Sequence, residues 1–133
     1  MSTIVEILGV VVEEARLDFG EDGLAVRVVD PSHVAMIKMD VDSAAFDTWE
    51  VDETKLGLEM RKMNQFISVG GAGDMVELTY SEDSGQATIL IGRIELNLRP
   101  LDNSTLNPPN VPSLELPCGV TISGTELSQA LRA

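Results

Sequence analysis

Several residue types that carry chemistry are nearly absent from this sequence. It has one cysteine, one histidine, one tryptophan and one tyrosine among 133 residues. The single cysteine, Cys118, cannot form a disulfide within the chain, so a disulfide scaffold is excluded. One histidine and one cysteine also supply too few ligands and bases for a zinc site or for histidine-based catalysis. These shortages leave little basis for histidine-based catalysis, and we expect no metal ion or cofactor.

Long apolar runs are also missing, which predicts that no segment spans a membrane. The sequence has no basic start followed by an apolar run, so no secretory signal is expected. Hydrophobic residues nevertheless make up 44% of the chain, too large a share for a disordered acidic tail. The sequence therefore predicts one soluble, intracellular domain with a single hydrophobic core.

Positive charge is scarce. Nine lysines and arginines face 22 acidic residues, so the formal net charge is −13. Such a charge opposes ordinary affinity for nucleic acid, because phosphates repel an acidic surface. Two interpretations remain: a protein that binds basic partners, or one that works in molar salt, where the Debye length falls to about 3 Å. The acids are scattered along the chain and do not form a block, which favours a solvated surface and a salt-loving source.

Hydrophobic periodicity predicts an α+β fold with antiparallel sheets. The clearest signal is a pair of alternating segments, Met75–Tyr80 and Gln86–Ile91, joined by a loop that contains a glycine. In residues 3–15, apolar side chains recur at helical spacing, and Thr3 with Glu6 fits a capping box. The predicted helices are 3–15, 60–69 and 125–132, and the predicted strands are 16–19, 24–30, 34–41, 55–59, 75–80, 86–91, 93–99 and 120–123.

The segment that follows the predicted strand 93–99 differs in composition. Five of the six prolines lie within residues 100–117. Proline lacks a backbone N–H and cannot easily join a sheet, so residues 101–117 are expected to form an extended connector. Residues 118–133 follow it as a short strand and a helix capped by Thr125. We expect them to be the truncated start of a second domain.

Four motifs together resemble the proliferating cell nuclear antigen family of DNA sliding clamps. They are Gly23–Met36 followed by Phe46, Leu56–Leu58, Gly73–Leu78 and Val111–Pro117. Their order and spacing are similar to those of archaeal clamps, and the resemblance covers residues 3–132. The acidic composition suggests a haloarchaeal member.

The resemblance implies a DNA-clamp fold, with antiparallel sheets and two helices on one face, in which the helices line the inside of a ring. Residues 1–100 would be an N-terminal clamp domain lacking its first strand, residues 101–117 the interdomain connector, and residues 118–133 the start of a second clamp domain. A full-length protein would be a homotrimer that encircles double-stranded DNA without reading its sequence. It would tether DNA polymerase, the clamp loader, nuclease and ligase through short peptides during replication and repair. The implied location is the cytoplasm, in association with the nucleoid.

The resemblance also implies which residues face DNA. The first inner helix lacks the family's lysines, because Ser2, Thr3 and Gly9 stand where bases are expected. The second helix offers polar side chains that would face the DNA: Arg61, Lys62, Gln65 and Ser68. Arg61 and Lys62 lie at the start of a helix, where the macrodipole disfavours cations, and this suggests a contact with phosphate. A solvated helix face explains them equally well.

A partner-peptide pocket is implied beside the connector. Its expected residues are Val29, His33, Val111, Pro112 and Leu114. An extended apolar connector over a sheet forms a groove that can hold a short helical anchor. The alternative is that Val29 and Val111 simply pack together and leave His33 at the surface.

The sequence therefore predicts a sliding clamp, a non-enzymatic processivity factor. The alternative is a truncated half clamp that binds clamp-interacting peptides without encircling DNA. A third hypothesis, a hydrolase that uses carboxylates such as Asp30 and Glu77, has little support because no element pairs its acids at a fixed spacing.

Overall fold

The computed structural model describes residues 1–71 and 73–133. Its helices are α1 (Ser2–Val11), α2 (Met60–Ile67) and α3 (Gly124–Arg132), with single 3₁₀ turns at Ser43–Ala45 and Asn103–Thr105. Its strands are β1 (Glu14–Gly20), β2 (Gly23–Val29), β3 (Met36–Asp42), β4 (Thr54–Glu59), β5 (Val76–Ser81), β6 (Gln86–Ile91) and β7 (Ile94–Leu98).

The strands form two antiparallel sheets. One has the order β3-β2-β1-β4 and the other has the order β5-β6-β7. Every pairing is antiparallel. The prediction of an α+β fold with antiparallel sheets is therefore confirmed.

The core lies between the sheets and the helix pair α1–α2. In β1 and β2 every second side chain is buried, which is the period of a strand with one solvated face. Val5 and Leu8 of α1 and Met60 and Met63 of α2 are at most 2% exposed. Each such side chain stabilises the fold by about 1.5–3 kcal/mol through burial. Helices α1 and α2 pack together and cover the inner face of the four-stranded sheet.

The β1–β2 turn requires glycine. Gly23 has φ 146°, and a Cβ atom there would lie 2.0 Å from the carbonyl oxygen of Val41 on β3. No side chain fits so close to a neighbouring strand. This turn aligns β1 with β2, and β2 carries Val29 at its far end.

The first helix is shorter than predicted. It ends at Val11, and Val12 is extended with φ −135° and ψ 152°. Glu14 and Ala15 belong to β1 instead, where they pair with Glu59 and Leu58. Successive β-branched valines have poor helix propensity, and the pairing with β4 outweighs the helical pattern.

The predicted caps of α1 and α3 are also wrong. Helix α1 has Met1 as its N-cap, with no side-chain hydrogen bond. Helix α3 is capped by Ser123, whose hydroxyl accepts from the Glu126 amide while the Glu126 carboxylate reaches back to the Ser123 amide. This reciprocal pair is the capping box that the sequence analysis placed elsewhere.

Two strand predictions fail near the connector. Strand β3 begins at Met36 and not at Val34, because residues 30–35 form a closed loop. The predicted strand at 120–123 does not form, and its residues are exposed. A strand needs a neighbour for its N–H and C=O groups, and no described segment pairs with this one.

Among residues 1–71 and 73–133, no helix has both the length and the apolar character that a bilayer crossing requires.

Candidate partner-binding site

The loop between β2 and β3 is organised by one carboxylate. The side chain of Asp30 accepts hydrogen bonds from the amides of Ala35 (2.7 Å), Val34 (2.7 Å) and Ser32 (3.2 Å). The Asp30 amide also donates to the Ala35 carbonyl, at 2.9 Å. The amide of Ala35 contributes most to holding the pKa of Asp30 below its usual value; desolvation opposes it, and the hydrogen bonds from Val34 and Ser32 lower the pKa further. Asp30 therefore closes the loop as an ionised cap.

This closed loop presents His33 to solvent. His33 has φ 58°, in the left-handed region, and its amide donates to the Asp30 carbonyl at 2.9 Å. A non-glycine residue in this conformation is uncommon and needs local hydrogen bonds to hold it. The next side chain, Val34, is 86% exposed. Val34 is thus an exposed apolar side chain next to His33. The sequence pattern assigned Val34 to a strand, so it was not predicted to belong to this site.

The connector is fixed to the sheet at its beginning. The Leu101 amide donates to the Gly57 carbonyl at 2.7 Å, and the Asn103 side-chain amide donates to the Lys55 carbonyl at 2.9 Å. Asp102 accepts from the Ser104 amide and so caps the 3₁₀ turn. These contacts were not predicted, since they depend on how closely the connector approaches β4.

The predicted pocket residues occupy three positions. Val29 is half-buried at the end of β2, and His33 is exposed in the loop that follows. The connector residues Val111, Pro112 and Leu114 are exposed, with Val111 at 43% and Leu114 at 68%. Val29 lines a cleft of about 160 Å³ whose opposite wall is the connector segment 105–109. The structure thus brings Val29 to an earlier part of the connector, and the five-residue pocket stays a prediction.

The predicted DNA-facing residues all lie on the exposed side of α2 or just after it. Arg61, Lys62, Gln65 and Ser68 are each exposed. The carboxylate of Glu59 lies 2.8 Å from the Lys62 ammonium and, by hydrogen bonding and charge, raises the pKa of that lysine. The Ser68 hydroxyl donates to the Gln65 carbonyl at 2.7 Å. Glu59 therefore neutralises part of this small basic surface.

Candidate metal ligands do not cluster in the described ranges: no group of three or more histidine, cysteine or acidic side chains there is arranged to hold an ion. Cys118 is exposed and lies in the extended segment.

Comparison with known proteins identifies relatives for most of the chain. Residues 1–99 match the family model described as proliferating cell nuclear antigen, N-terminal domain. The chain is 36% identical over 130 residues to a DNA polymerase sliding clamp of Methanococcoides burtonii, covering 97% of this chain and 53% of the relative. It is 35% identical to the clamp of Methanosarcina acetivorans, again over 130 residues, with the same 97% and 53% coverage. The chain thus spans about half the length of the curated relatives it matches.

Solved structures give the same picture. A structure described as the C-terminal region of FEN-1 bound to A. fulgidus PCNA matches with a TM-score of 0.81 and 31% identity, covering 87% of this chain and 48% of that one. PCNA from Thermococcus kodakaraensis matches with a TM-score of 0.78 and 17% identity, covering 87% of this chain and 47% of the other, and this supports the fold alone.

Proposed function

Because this chain belongs to the proliferating cell nuclear antigen family, we propose that it forms part of a DNA polymerase sliding clamp. In this role it is not an enzyme: it holds DNA polymerase and other replication and repair proteins, including the clamp loader, nuclease and ligase, on DNA. The observation that carries the proposal is the match of residues 1–99 to the family's N-terminal domain. The relatives named above as sliding clamps, at 36% and 35% identity, support it.

We propose the corresponding division of the chain. Residues 1–100 form the clamp domain, residues 101–117 the interdomain connector and residues 118–133 the start of a second domain. The end of β7 at Leu98 supports the first boundary, because the next residues attach to β4 through the hydrogen bond from Leu101 to Gly57. In the full-length protein, three such subunits would close around double-stranded DNA.

Partner peptides would dock between the His33 loop and the connector. The exposed side chains of Val111 and Leu114 would be the apolar wall, and Val29 would be the floor. Exposed apolar side chains on an extended segment gain free energy when a partner covers them. The A. fulgidus relative is described in complex with the C-terminal region of FEN-1, which makes that region the natural probe.

The DNA-facing surface of this domain would be weakly basic. Arg61, Lys62, Gln65 and Ser68 are its polar side chains, and α1 carries no lysine or arginine. With a net charge of −13, contact with phosphate would depend on closure of the ring and on salt. We also propose that the protein works at high salt, in a haloarchaeal cytoplasm near the nucleoid. The charge supports this proposal, although the relatives come from Methanococcoides and Methanosarcina.

Isothermal titration calorimetry with the FEN-1 C-terminal peptide tests peptide binding. The variant Val111→Ser/Leu114→Ser should bind about tenfold more weakly or worse, because it removes two apolar contacts. The matched control is Leu116→Ser/Val120→Ser, which changes two exposed side chains of the same types, 76% and 86% exposed. Equal affinities for the two double variants would show that the pocket assignment is wrong.

The second candidate function is a half clamp that binds partner peptides without encircling DNA. The observation that favours it is the shortage of bases on the two helices, where only Arg61 and Lys62 occur. Binding of the FEN-1 peptide without retention on circular DNA would support this candidate over a ring formed by the chain itself.

A further inference from the structure

The start of α2 lies against a seam at which two carboxylates face each other. Glu14 at the beginning of β1 is directly opposite Glu59 at the end of β4. The amide of Met60, the first residue of α2, donates a hydrogen bond to the Glu13 carbonyl at 2.8 Å. A Cβ atom built on Gly9 would lie 3.8 Å from Met60 Cβ, so α1 also passes close to this point. Two helices and two strands therefore meet at this seam.

The Glu14–Glu59 pair is unfavourable on its own. Side chains that lie opposite each other on antiparallel strands are about 4.5–5.5 Å apart at Cβ, and like charges there destabilise the sheet. The other charged pair of the same ladder, Asp18 with Lys55, has opposite signs. The Glu14–Glu59 pair is thus the place in this ladder where a nearby cation is needed.

Lys62 supplies this cation. Arg16 lies on the same side of β1 as Glu14, but its guanidinium already makes two hydrogen bonds to Asp18, at 2.8 and 2.9 Å. The Lys62 ammonium instead lies 2.8 Å from the Glu59 carboxylate. Hydrogen bonding to Glu59 contributes most to raising the pKa of Lys62, and the charge of Glu59 comes next; desolvation opposes them, and the charge of Glu14 raises the pKa further. Lys62 therefore interacts with both carboxylates.

Glu59 binds Lys62 and does not cap the helix. It is the N-cap residue of α2, yet its side chain accepts no hydrogen bond from the helix amides. Its partner Lys62 follows at i,i+3, a spacing at which side chains meet on a helix surface. The helix macrodipole disfavours a cation at this end of α2. The carboxylate pair gives a physical reason for Lys62 that does not involve phosphate.

The neighbouring base differs in this respect. In residues 1–71 and 73–133, no carboxylate oxygen lies within 4.0 Å of the Arg61 guanidinium. Arg61 is exposed, and its five N–H donors form a planar fork. The two adjacent cations of α2 are therefore not equivalent, although the sequence presents them as one basic pair.

We propose that Lys62 is a positioning residue that fixes the start of α2 to the β1–β4 seam by neutralising Glu14 and Glu59. Its charge is already matched within the protein, and Arg61 is the base of the α1–α2 layer that remains available to a DNA phosphate. The statement about Arg61 rests on the DNA-facing surface proposed above, whereas the role of Lys62 does not.

Thermal unfolding of the whole chain at 0.5 M KCl tests this role. At this salt concentration the Debye length is about 4–5 Å, so contacts at hydrogen-bond distance persist. Lys62→Gln should lower the Tm by about 1–4 °C, because an exposed ion pair is lost and two carboxylates are left facing each other. Adding Glu14→Gln to Lys62→Gln should recover most of this loss, since it removes the repulsion. Lys62→Arg should keep the Tm of the unaltered chain, since it keeps the charge.

Arg61→Gln is the matched control, because it makes the same charge change at the adjacent exposed position. Its Tm should stay within about 1 °C of the unaltered chain. Equal losses in Arg61→Gln and Lys62→Gln would overturn the proposal, because they would show a response to net charge alone. An unchanged Tm in Lys62→Gln would also overturn it, as would a further loss when Glu14→Gln is added.

Amide exchange separates a local role at the seam from a general loss of stability. In Lys62→Gln the Met60 amide, which is bonded to the Glu13 carbonyl, should exchange about threefold faster or more. The amide of Ile89, a fully buried core residue, should accelerate by a smaller factor. Equal factors at Met60 and Ile89 would contradict the positioning role. No DNA enters these measurements, so their failure would overturn the role of Lys62 and leave the proposed clamp function standing.

Discussion

Replacing Gly57 with alanine should loosen the connector from the sheet. Gly57 is buried on β4, and a Cβ atom there would lie 2.7 Å from Leu106 Cδ1, 3.0 Å from the Leu101 carbonyl oxygen and 3.1 Å from Leu101 Cβ. The end of the Leu106 side chain can rotate away, but the Leu101 contacts involve the backbone and the atom attached to it. The connector must therefore move away from β4.

The magnitude follows from the contacts that this movement disturbs. Overpacking of a tight site costs about 1–3 kcal/mol. Loss of the 2.7 Å hydrogen bond from Leu101 to Gly57 adds about 0.5–1.5 kcal/mol. The lower entropy of an unfolded chain with alanine returns about 0.4–1 kcal/mol. We expect the free energy of unfolding to fall by about 1–3 kcal/mol, which is about 4 °C in Tm for each kcal/mol.

Thermal unfolding and amide exchange measure the two parts of this prediction. Gly20→Ala is the matched control, because no atom lies within 4 Å of a Cβ built there and Gly20 is not among the glycines with positive φ. Its effect should be within about 0.5 kcal/mol of zero, or slightly stabilising. In Gly57→Ala the Leu101 amide should also exchange faster. If both variants melt alike and the Leu101 amide stays protected, the connector does not pack on β4 as described.

Three further predictions concern charge, the His33 loop and the last helix. The Tm should rise clearly between about 0.1 M and 2 M KCl, because salt screens the repulsion of −13 charges; a flat series would contradict a salt-dependent fold. The NMR shifts of the Val34 and Ala35 amides should titrate at a midpoint pH below 3.8, the ordinary pKa of an aspartate. The stabilisation of the loop by ionised Asp30 is complete above pH 3.8 and is lost only as the pH falls through the lowered pKa. A midpoint at or above pH 3.8 would contradict the role of Asp30 as a cap. Ser123→Ala should reduce the helical content of α3, because the capping box is lost. The Tm of the domain should stay the same, because α3 has no buried residue. A lower Tm would show that α3 packs on the domain.

Regular alternation made most of the fold predictable. Strands such as Gly23–Val29 and Gln86–Ile91 were recognised within a residue because one of their faces is buried and the other solvated. Glu14 and Ala15 were assigned to a helix, because local periodicity cannot reveal a pairing with β4. The strand predicted at residues 120–123 does not form, because its β-branched residues have no partner strand in the described chain.

The candidate site was less predictable. His33 and Val29 could be named from the resemblance, and Asp30-Pro31-Ser32 is a turn signature that could have revealed the cap at Asp30. The role of Gly57 could not be predicted, since it depends on a chain that returns 44 residues later to lie over it (101 − 57 = 44).

The most direct test of the proposed clamp function is an NMR titration of the ¹⁵N-labelled chain with the FEN-1 C-terminal peptide at high salt. We expect the largest shifts at the amides of His33, Val34, Val111 and Leu114, with no change in α1. A saturating titration confined to those residues would establish the loop and connector as the partner surface. Shifts located on α1 and α2, or no shifts at millimolar peptide, would contradict it.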